Sequence, residues 1–443
     1  MRVVIVGAGE VGRHLGRSLQ RDAELILVDR DAQALTAAEE QLDALSLAGD
    51  GTHRDELARA EVGRADLVVA VTPSDAVNLV CASLARAMGA RQTVARVDDP
   101  DFFATDLGLE RGVLGVDAVL CASRLVSVEL LRMLAGVRAR CATPAAGGMV
   151  HVVAHELAEG ASLLRGRGRA TAWPEAIAAV IRGGHLRPAA EVEHAEVGDV
   201  ALICGPPLTA LATLRELTRA AGPLQTTIVG GGDVGAQLAR SLAPLGLLDR
   251  LIERSRPRCQ ELAEQLHAVQ ILHGDGTNLE FLREEQVGSA EALIAVTGSD
   301  EANLMTSLLA REIGVPKVFA LVHRPGYAGV YSHLGVSGTV SPHETVAQVI
   351  QWLLPHGALV GRTPLAELGV EVVELRARQL AERVADLPLP PGSVPLVIAG
   401  DKVRSLRGGG GLGPEDHVIA AVPAARMAML EKSLARVDRR GGP

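Results

Sequence analysis

Two decapeptides in this 443-residue chain carry the residue types and spacing of a phosphate cradle: "VVIVGAGEVG" at 3–12 and "TTIVGGGDVG" at 226–235. In a strand–turn–helix unit the first glycine permits the tight turn, the second lets backbone approach a pyrophosphate, and the third lets helix pack on strand. Gly7, Gly9 and Gly12 hold those places in the first copy and Gly230, Gly232 and Gly235 in the second. The helix N-terminus that follows then faces the phosphate. Either hexapeptide alone is weak evidence and reads more readily as a structural turn, but each copy also ends its second apolar run on an acid. Asp29 lies 22 residues beyond Gly7, and Glu253 lies 23 beyond Gly230. At that spacing a carboxylate accepts hydrogen bonds from adenosine ribose hydroxyls and repels a 2′-phosphate, which favours NAD over NADP. The same carboxylate suits the ribose of ATP or ADP. Arg30 and Arg254 follow directly, either softening that preference or simply solvated at the surface.

Further along each copy, "GDGT" places Asp50 with Gly51, and Asp275 with Gly276, at the end of the third strand. There the aspartates either approach adenosine or close an aspartate turn. The "VTPSD" and "VTGSD" turns end the fourth strand, on the carboxyl edge where open α/β sheets bind ligands. Thr72, beside Pro73, and Thr297, beside Gly298, are the contact candidates there. Ser74, Asp75, Ser299 and Asp300 read as helix N-caps. The fifth strand separates the copies: "VARVDDP" brings Arg96 to the edge, where a guanidinium pairs with phosphate, whereas "FALVHRP" brings Leu321. The second site is therefore expected to bind more weakly, or to take a less charged ligand.

These residues need a scaffold of short buried strands alternating with helices. Val3–Val6 reads as a strand, Val11–Leu19 as a helix and Leu25–Val28 as a second strand. "ALSLAGDGT", "DLVVAVTPSDAVNLV" and "TVARV" continue the alternation of a parallel, helix-covered sheet. The second half repeats the order at an offset of 223 at the glycines (Gly7 to Gly230) and 225 at the aspartates (Asp50 to Asp275). Segments bearing Pro and Gly at 141–148, 220–225 and 355–364 read as linkers. They set off two stretches that each open with a strand, pass through a loop-rich middle, and close with an acidic turn, a strand and a helix. The predicted fold class is α/β, with two Rossmann-like doubly wound parallel-sheet domains, each followed by a small α+β domain. The expected boundaries are 1–140, 145–222, 224–356 and 360–443.

Composition narrows the function. Apolar residues are 48% and charged residues 22%, a globular balance. A net charge of −9 and an aromatic content of 2% argue against nucleic acid as a partner. No apolar run reaches membrane-spanning length, and the first strand begins at Arg2, so a cytosolic location is expected. Five cysteines (Cys81, Cys121, Cys141, Cys204, Cys259) without CxxC spacing read as individually buried thiols, and no metal site is expected. An NAD-dependent oxidoreductase is the alternative reading, but it needs a proton donor or acceptor beside the nicotinamide. The chain has no YxxxK, HExxH, GxSxG or Walker A lysine loop, and only three lysines. His155, His194, His323 and His343 read as surface or loop residues, so the protein is expected not to be an enzyme.

The run "GAGEVG…VDRD…GDGT…VTPSDAVNLV…ARV" and its echo "GGGDVG…LIER…GDGT…VTGSDEANLM" resemble the TrkA family of the Trk potassium uptake system over essentially the whole chain. In that family each half pairs a Rossmann-like RCK nucleotide-binding domain with an RCK C-terminal domain. The resemblance implies a cytoplasmic regulatory subunit, peripheral on the inner face of the cell membrane. It would bind NAD(H) and ATP or ADP, assemble as a homo-oligomer, a tetramer, and gate a Trk-type potassium-translocating membrane subunit. Carried onto this chain, Gly7, Ala8, Gly9, Glu10, Val11, Asp29, Asp50, Gly51, Thr72, Pro73 and Arg96 form the first site. Gly230, Gly231, Gly232, Asp233, Val234, Glu253, Asp275, Gly276, Thr297 and Gly298 form the second. The helices after the sixth strands, "SRLVSVELLRML" and "SPHETVAQVIQWLL", resemble RCK dimerisation segments, with packing inside one chain as the alternative. A nucleotide sensor serving another transporter is the remaining reading.

Overall fold

The computed structural model describes residues 1–99, 102–165, 173–219, 224–324, 326–354, 357–377, 380–400, 402–406, 411–413 and 415–438. The chain divides into two compact units. One comprises residues 1–128, 321–330 and 339–354, and the other 129–320, 331–338 and 355–443.

The first sheet has seven strands: β1 (Arg2–Val6), β2 (Glu24–Asp29), β3 (Leu45–Ala48), β4 (Leu67–Ala70), β5 (Thr93–Arg96), β6 (Leu109–Arg111) and β7 (Ala118–Leu120). Their spatial order is β3-β2-β1-β4-β5-β7-β6, all parallel except the β6–β7 pair. The order reverses direction between β1 and β4, which puts the switch point beside the first glycine turn. Val3, Val4 and Ile5 are fully buried, and apolar side chains removed from water in this way contribute about 1.5–3 kcal/mol each. The strands are linked by α1 (Glu10–Leu19), α2 (Ala32–Glu39), α3 (Arg54–Arg59) and α4 (Asp75–Ala87), and α5 (Ala122–Arg138) follows β7.

The first small domain is an antiparallel sheet of β8 (Cys141–Ala145), β9 (Val150–Glu156), β10 (Ile177–Arg182), β11 (His185–Pro188) and β12 (Val200–Gly205), followed by α6 (Pro207–Leu217). The second Rossmann-like sheet contains β13 (Thr226–Val229), β14 (Arg250–Glu253), β15 (Gln270–His273), β16 (Ala292–Ala295), β17 (Lys317–Leu321) and β18 (Gly338–Val340), in the order β15-β14-β13-β16-β17-β18. Its helices are α7 (Asp233–Leu242), α8 (Arg256–Gln265), α9 (Leu279–Glu284), α10 (Asp300–Glu312), α11 (Tyr327–His333) and α12 (Pro342–Leu353). The last sheet comprises β19 (Leu359–Leu365), β20 (Val370–Arg376), β21 (Val394–Ala399), β22 (Val403–Ser405) and β23 (His417–Pro423), and α13 (Met427–Asp438) closes the described chain.

The two small sheets have one topology: β11-β10-β12-β9-β8 in the first is matched by β22-β21-β23-β20-β19 in the second. Two segments read from sequence as linkers are strands here. "CATPA" forms β8 and most of "PHGALVGRTP" forms β19, each at a sheet edge. Pro144 and Pro364 are tolerated because an edge strand leaves one row of backbone groups unpaired. The middles read as loop-rich each contain an antiparallel strand pair, β10–β11 and β21–β22. Part of the linker at 220–225 and of the segment "RGRGRATAWPEA" lies outside the described residues. The Rossmann copies differ at their far edge, where the first has β6 and the second has α11. Of the cysteines, four are buried and Cys141 is half-buried, all as free thiols.

Candidate functional site

Both glycine loops have the same local geometry. Gly7 and Gly230 each sit at φ 111°, a conformation that residues with a side chain rarely adopt. The Gly7 N–H donates to Val28 O and the Gly230 N–H to Ile252 O, both at 2.9 Å. A Cβ on Gly12 would stand 1.9 Å from Gly7 O, and one on Gly235 1.9 Å from Gly230 O, so helix and turn meet too closely for any side chain. The middle glycines are different. Gly9 and Gly232 are the N-caps of α1 and α7, and a Cβ on either would meet nothing within 4 Å. Neither cap has a side chain of its own to bond the first N–H groups of its helix, and a helix N-terminus of this kind is suited to receive an anion.

The acids at the second-strand ends hold the loops. Asp29 Oδ2 accepts from the Ala8 N–H at 2.7 Å and Oδ1 from the Asp31 N–H at 2.9 Å. Glu253 Oε2 accepts from the Gly231 N–H at 2.7 Å and Oε1 from the Ser255 N–H at 2.6 Å. Each oxygen keeps acceptor capacity toward a ligand. The opposite pole of each loop is held by an arginine that the sequence did not point to. Arg13 Nη1 donates to Ala8 O at 2.9 Å, from within α1, and Arg258 Nε donates to Gly231 O at 2.8 Å, from α8.

The remaining candidates converge on the same edge. Asp50 and Asp275 close aspartate turns, each accepting from the N–H and hydroxyl of the threonine two residues on, at 2.9 and 2.7 Å. Those bonds, backbone first, hold both carboxyls below the usual carboxylate range. A Cβ on Gly51 would stand 2.5 Å from Val6 Cγ1, and one on Gly276 2.3 Å from Val229 Cγ1, so these glycines set close packing under the turn. Cys81, fully buried in the same core cluster as Val6, has its thiol pushed up to about 12 by burial. In the second copy the glycine loop, Glu253, Arg254, Asp275, Thr297 and Thr306 line a cleft of about 530 Å³, within the size range of small-molecule sites.

Thr72 and Thr297 stand at the edge as expected, but their hydroxyls are engaged. Asn78, fully buried in α4, accepts from Thr72 N–H at 2.8 Å and from Thr72 Oγ1 at 2.7 Å, and its Nδ2 donates to Thr72 O and Arg96 O at 2.9 Å each. Asn303 repeats the Thr297 contacts at 2.8, 2.7 and 3.0 Å. One amide thus ties the end of the fourth strand in each copy, and Asn78 is bonded to the end of β5 as well. The signal was available, since "NL" follows "SDAV" and "SDEA" at the offset of the aspartates. Ser74 and Ser299 are the N-caps of α4 and α10, whereas Asp75 is the first helical residue. Its Oδ2 accepts from the N–H groups of Asp98 and Asp99 at 3.0 and 2.9 Å, fastening the loop after β5.

Arg96 lies at the first edge with its guanidinium paired to Asp98, Nη2 to Oδ2 at 2.6 Å. The structurally matching strand β17 ends on Leu321, which is buried. Two histidines read as surface residues are not. His155 lies in β9, bonded to Arg138 O at 3.0 Å, and His343 is largely buried in the first turn of α12 with Nε2 3.1 Å from Glu10 Oε2. The α12 helix itself packs along α1 of the same chain, the intrachain alternative.

Known proteins resemble this chain over nearly its whole length. The TrkA-N domain model matches residues 3–122 and 226–342. The Trk system potassium uptake protein TrkA homolog of Archaeoglobus fulgidus is 31% identical over 435 residues, covering 95% of this chain and 96% of the relative. TrkA homolog 1 of Methanosarcina mazei is 30% identical, covering 98% and 99%. TrkA of Vibrio alginolyticus is 26% identical, covering 95% of each. Among solved structures, the GsuK channel bound to NAD aligns at TM-score 0.56 and 19% identity, over 98% of this chain and 79% of that one. The GsuK RCK domain aligns at 0.55 and 19%, over 98% and 95%. At that identity the likeness speaks for the fold.

Proposed function

This chain belongs to the TrkA family of Trk system potassium uptake proteins, and from that premise we propose that it is the cytosolic nucleotide-binding regulatory subunit of such a system. The observation that carries the reading is the pairing, twice in one chain, of a glycine helix N-cap with a carboxylate at the end of the second strand. We assign NAD(H), with ATP and ADP, as its ligands. In the first site we place Gly7–Val11, Asp29, Asp50, Gly51, Thr72, Pro73 and Arg96, and in the second Gly230–Val234, Glu253, Asp275, Gly276, Thr297 and Gly298. We keep the four-domain division at 1–140, 145–222, 224–356 and 360–443.

The reading is regulatory rather than catalytic. A tetramer on the inner membrane face, touching the potassium-translocating subunit, converts nucleotide occupancy into a change of conformation. Reversing a 1:99 equilibrium needs roughly 5.5 kcal/mol of differential binding, so four equivalent sites need only about 1.4 kcal/mol, or tenfold discrimination, each. Among the described residues no helix is long and apolar enough to cross a membrane, so in this reading the flux path belongs to the partner. The test is co-purification with a Trk-type membrane subunit, then potassium flux in reconstituted vesicles with NAD, NADH, ATP and ADP in turn. Flux that ignores every nucleotide the protein binds would overturn the proposal, as would steady NADH turnover at 340 nm with hydroxy acids or ketones.

A further inference from the structure

Beside the first glycine loop lies a residue contributed from more than 300 positions away in sequence: His343, in α12 against α1. Its partner Glu10 follows Gly9 directly and occupies the first turn of α1. A carboxylate there stands at the helix end that would receive phosphate, where a second negative charge repels the ligand. His343 Nε2 lies 3.1 Å from that carboxylate, and its side chain is only 17% exposed. Its other nitrogen, Nδ1, is buried and has no hydrogen-bond partner among the described residues.

The charged groups around the imidazole come from every neighbouring element. Glu10, His14 and Arg17 lie on α1, Arg96 ends β5, His323 follows β17, and Glu344 is next to it on α12; Arg111 stacks over Trp352 toward the far end of the helix. Burial, above all, pushes the imidazole below its usual range, Glu10 pulls it back up, and Arg96 and His323 lower it again. The repeat does not preserve the pair: Asp233 stands at the position of Glu10, and Ser123, which does not titrate, stands at the position of His343.

We propose that Glu10 and His343 form a proton-coupled subsite of the first nucleotide site, so that a pyrophosphate arriving at this glycine loop binds together with a proton on His343. The proposal rests on the nucleotide-binding reading above and specifies which end of the nucleotide this helix recognises. A neutral imidazole donates from Nε2 to Glu10 and draws its carboxylate aside. Protonation adds a positive charge and a donor at Nδ1, unfavourable where burial together with His323 and Arg96, itself paired with Asp98, outweighs the attraction of Glu10. A pyrophosphate at the α1 N-terminus offsets that repulsion, so proton and anion favour each other reciprocally. The recognised chemistry is a pyrophosphate-bearing adenine nucleotide and not the bare nucleoside.

The experiment uses the full chain carrying Gly232→Asp, which closes the second loop, and NAD, whose pyrophosphate does not titrate near neutrality. Calorimetric titration at about pH 6.5, in two buffers of different ionisation enthalpy, counts protons taken up per NAD bound. Expected are uptake of a substantial fraction of a proton, none with adenosine, and NAD affinity that rises several-fold from about pH 7.5 to pH 6. His343→Gln should bind NAD with no uptake and a flat pH profile, while His14→Gln should keep both. Glu10→Gln, which leaves α12 untouched, should tighten NAD binding and keep His343→Gln from being the only witness. Uptake that persists in His343→Gln, or NAD binding by the parent without uptake, overturns the subsite and leaves the nucleotide reading standing. A parent that binds neither NAD nor ADP at any of these pH values overturns both.

Discussion

Gly9→Asp separates the stability of the first Rossmann-like domain from its binding. Gly9 has φ −68° and ψ −168°, extended backbone open to any residue, and nothing within 4 Å of a Cβ. It is also an N-cap, where aspartate improves on glycine by a few tenths of a kcal/mol and adds about 0.3–1 kcal/mol through the helix dipole. The folded protein should therefore melt at the same temperature as the parent or slightly higher. Binding moves the other way. The new carboxylate accepts the N–H groups meant for the phosphate and stands on the order of 5 Å from its charge. At an effective dielectric near 20 that costs roughly 3 kcal/mol, or on the order of 100-fold in NAD affinity. Gly12→Ala is the contrasting control, because its Cβ would stand 1.9 Å from Gly7 O, and an overlap with backbone costs about 3 kcal/mol or more of stability. Scanning calorimetry and NAD titration on the three proteins read both axes. The geometry predicts a larger loss of total nucleotide binding for Gly9→Asp than for Gly232→Asp. Gly9→Asp melting as low as Gly12→Ala, or binding NAD like the parent, would refute the assignment of an open phosphate cradle at this cap, and the reverse ranking would refute the first site as the stronger.

Asn78→Ala strands the half-buried Thr72 and Arg96 backbone groups it now satisfies, so it should cost about 1–3 kcal/mol by denaturant unfolding and weaken NAD binding with it. Arg96→Leu copies the second site into the first. Its pair with the half-exposed Asp98 contributes little to stability, so the melting point should hold within about 1 kcal/mol while NAD affinity falls roughly tenfold. His151, fully buried in β9, is held neutral with its pKa lowered to about 3, mainly by burial and then by Arg132. Its folded value lies below the unfolded value near 6.5, so the unfolded chain binds the extra proton, and stability present above about pH 6.5 is lost as pH falls toward 3. His151→Leu should flatten that acid limb in unfolding curves taken between about pH 7 and pH 4; an unchanged limb would show that another group carries it.

The glycine loops, the acids and the alternation of strand and helix were legible because each is a local pattern. A positive φ at Gly7 and the 22-residue reach to Asp29 are fixed within one strand–helix–strand unit. What was illegible depends on partners distant in sequence. "CATPA" has little strand propensity of its own and becomes β8 only because β9 offers it an edge. Asn78 looks like a polar residue on an ordinary helix until Thr72 and the end of β5 fold against it. His343 looks like a solvated residue at a helix start, and only the packing of α12 on α1 buries it beside Glu10. Arg258 sits in a mostly polar helix whose loop contact no spacing rule anticipates.

The inequality proposed for the two sites rests on what surrounds the loops rather than on the loops. Gly7 and Gly230 share one φ, and the Ala8–Asp29 and Gly231–Glu253 bonds share one length, 2.7 Å. With backbone donors and ribose acceptor so nearly superimposable, the difference in ligand charge that each tolerates must come from side chains. The first loop has Arg13 on its carbonyl, Arg96 at the edge, and His343 set against Glu10. The second has Arg258 on its carbonyl, itself paired with Glu261 at 2.8 Å, and its fifth strand ends on an aliphatic residue. A cation already committed to a neighbouring carboxylate, as Arg96 is to Asp98 and Arg258 to Glu261, adds less field than one whose charge rises when ligand binds, which leaves His343 as the difference. Under the proposed subsite, the first site gains attraction for phosphate as pH falls, and the second is expected to have a fixed, weaker attraction. Two copies of one motif can then report two quantities, one sensitive to both nucleotide charge and pH and the other to nucleotide alone, which gives duplication a use beyond adding identical sites.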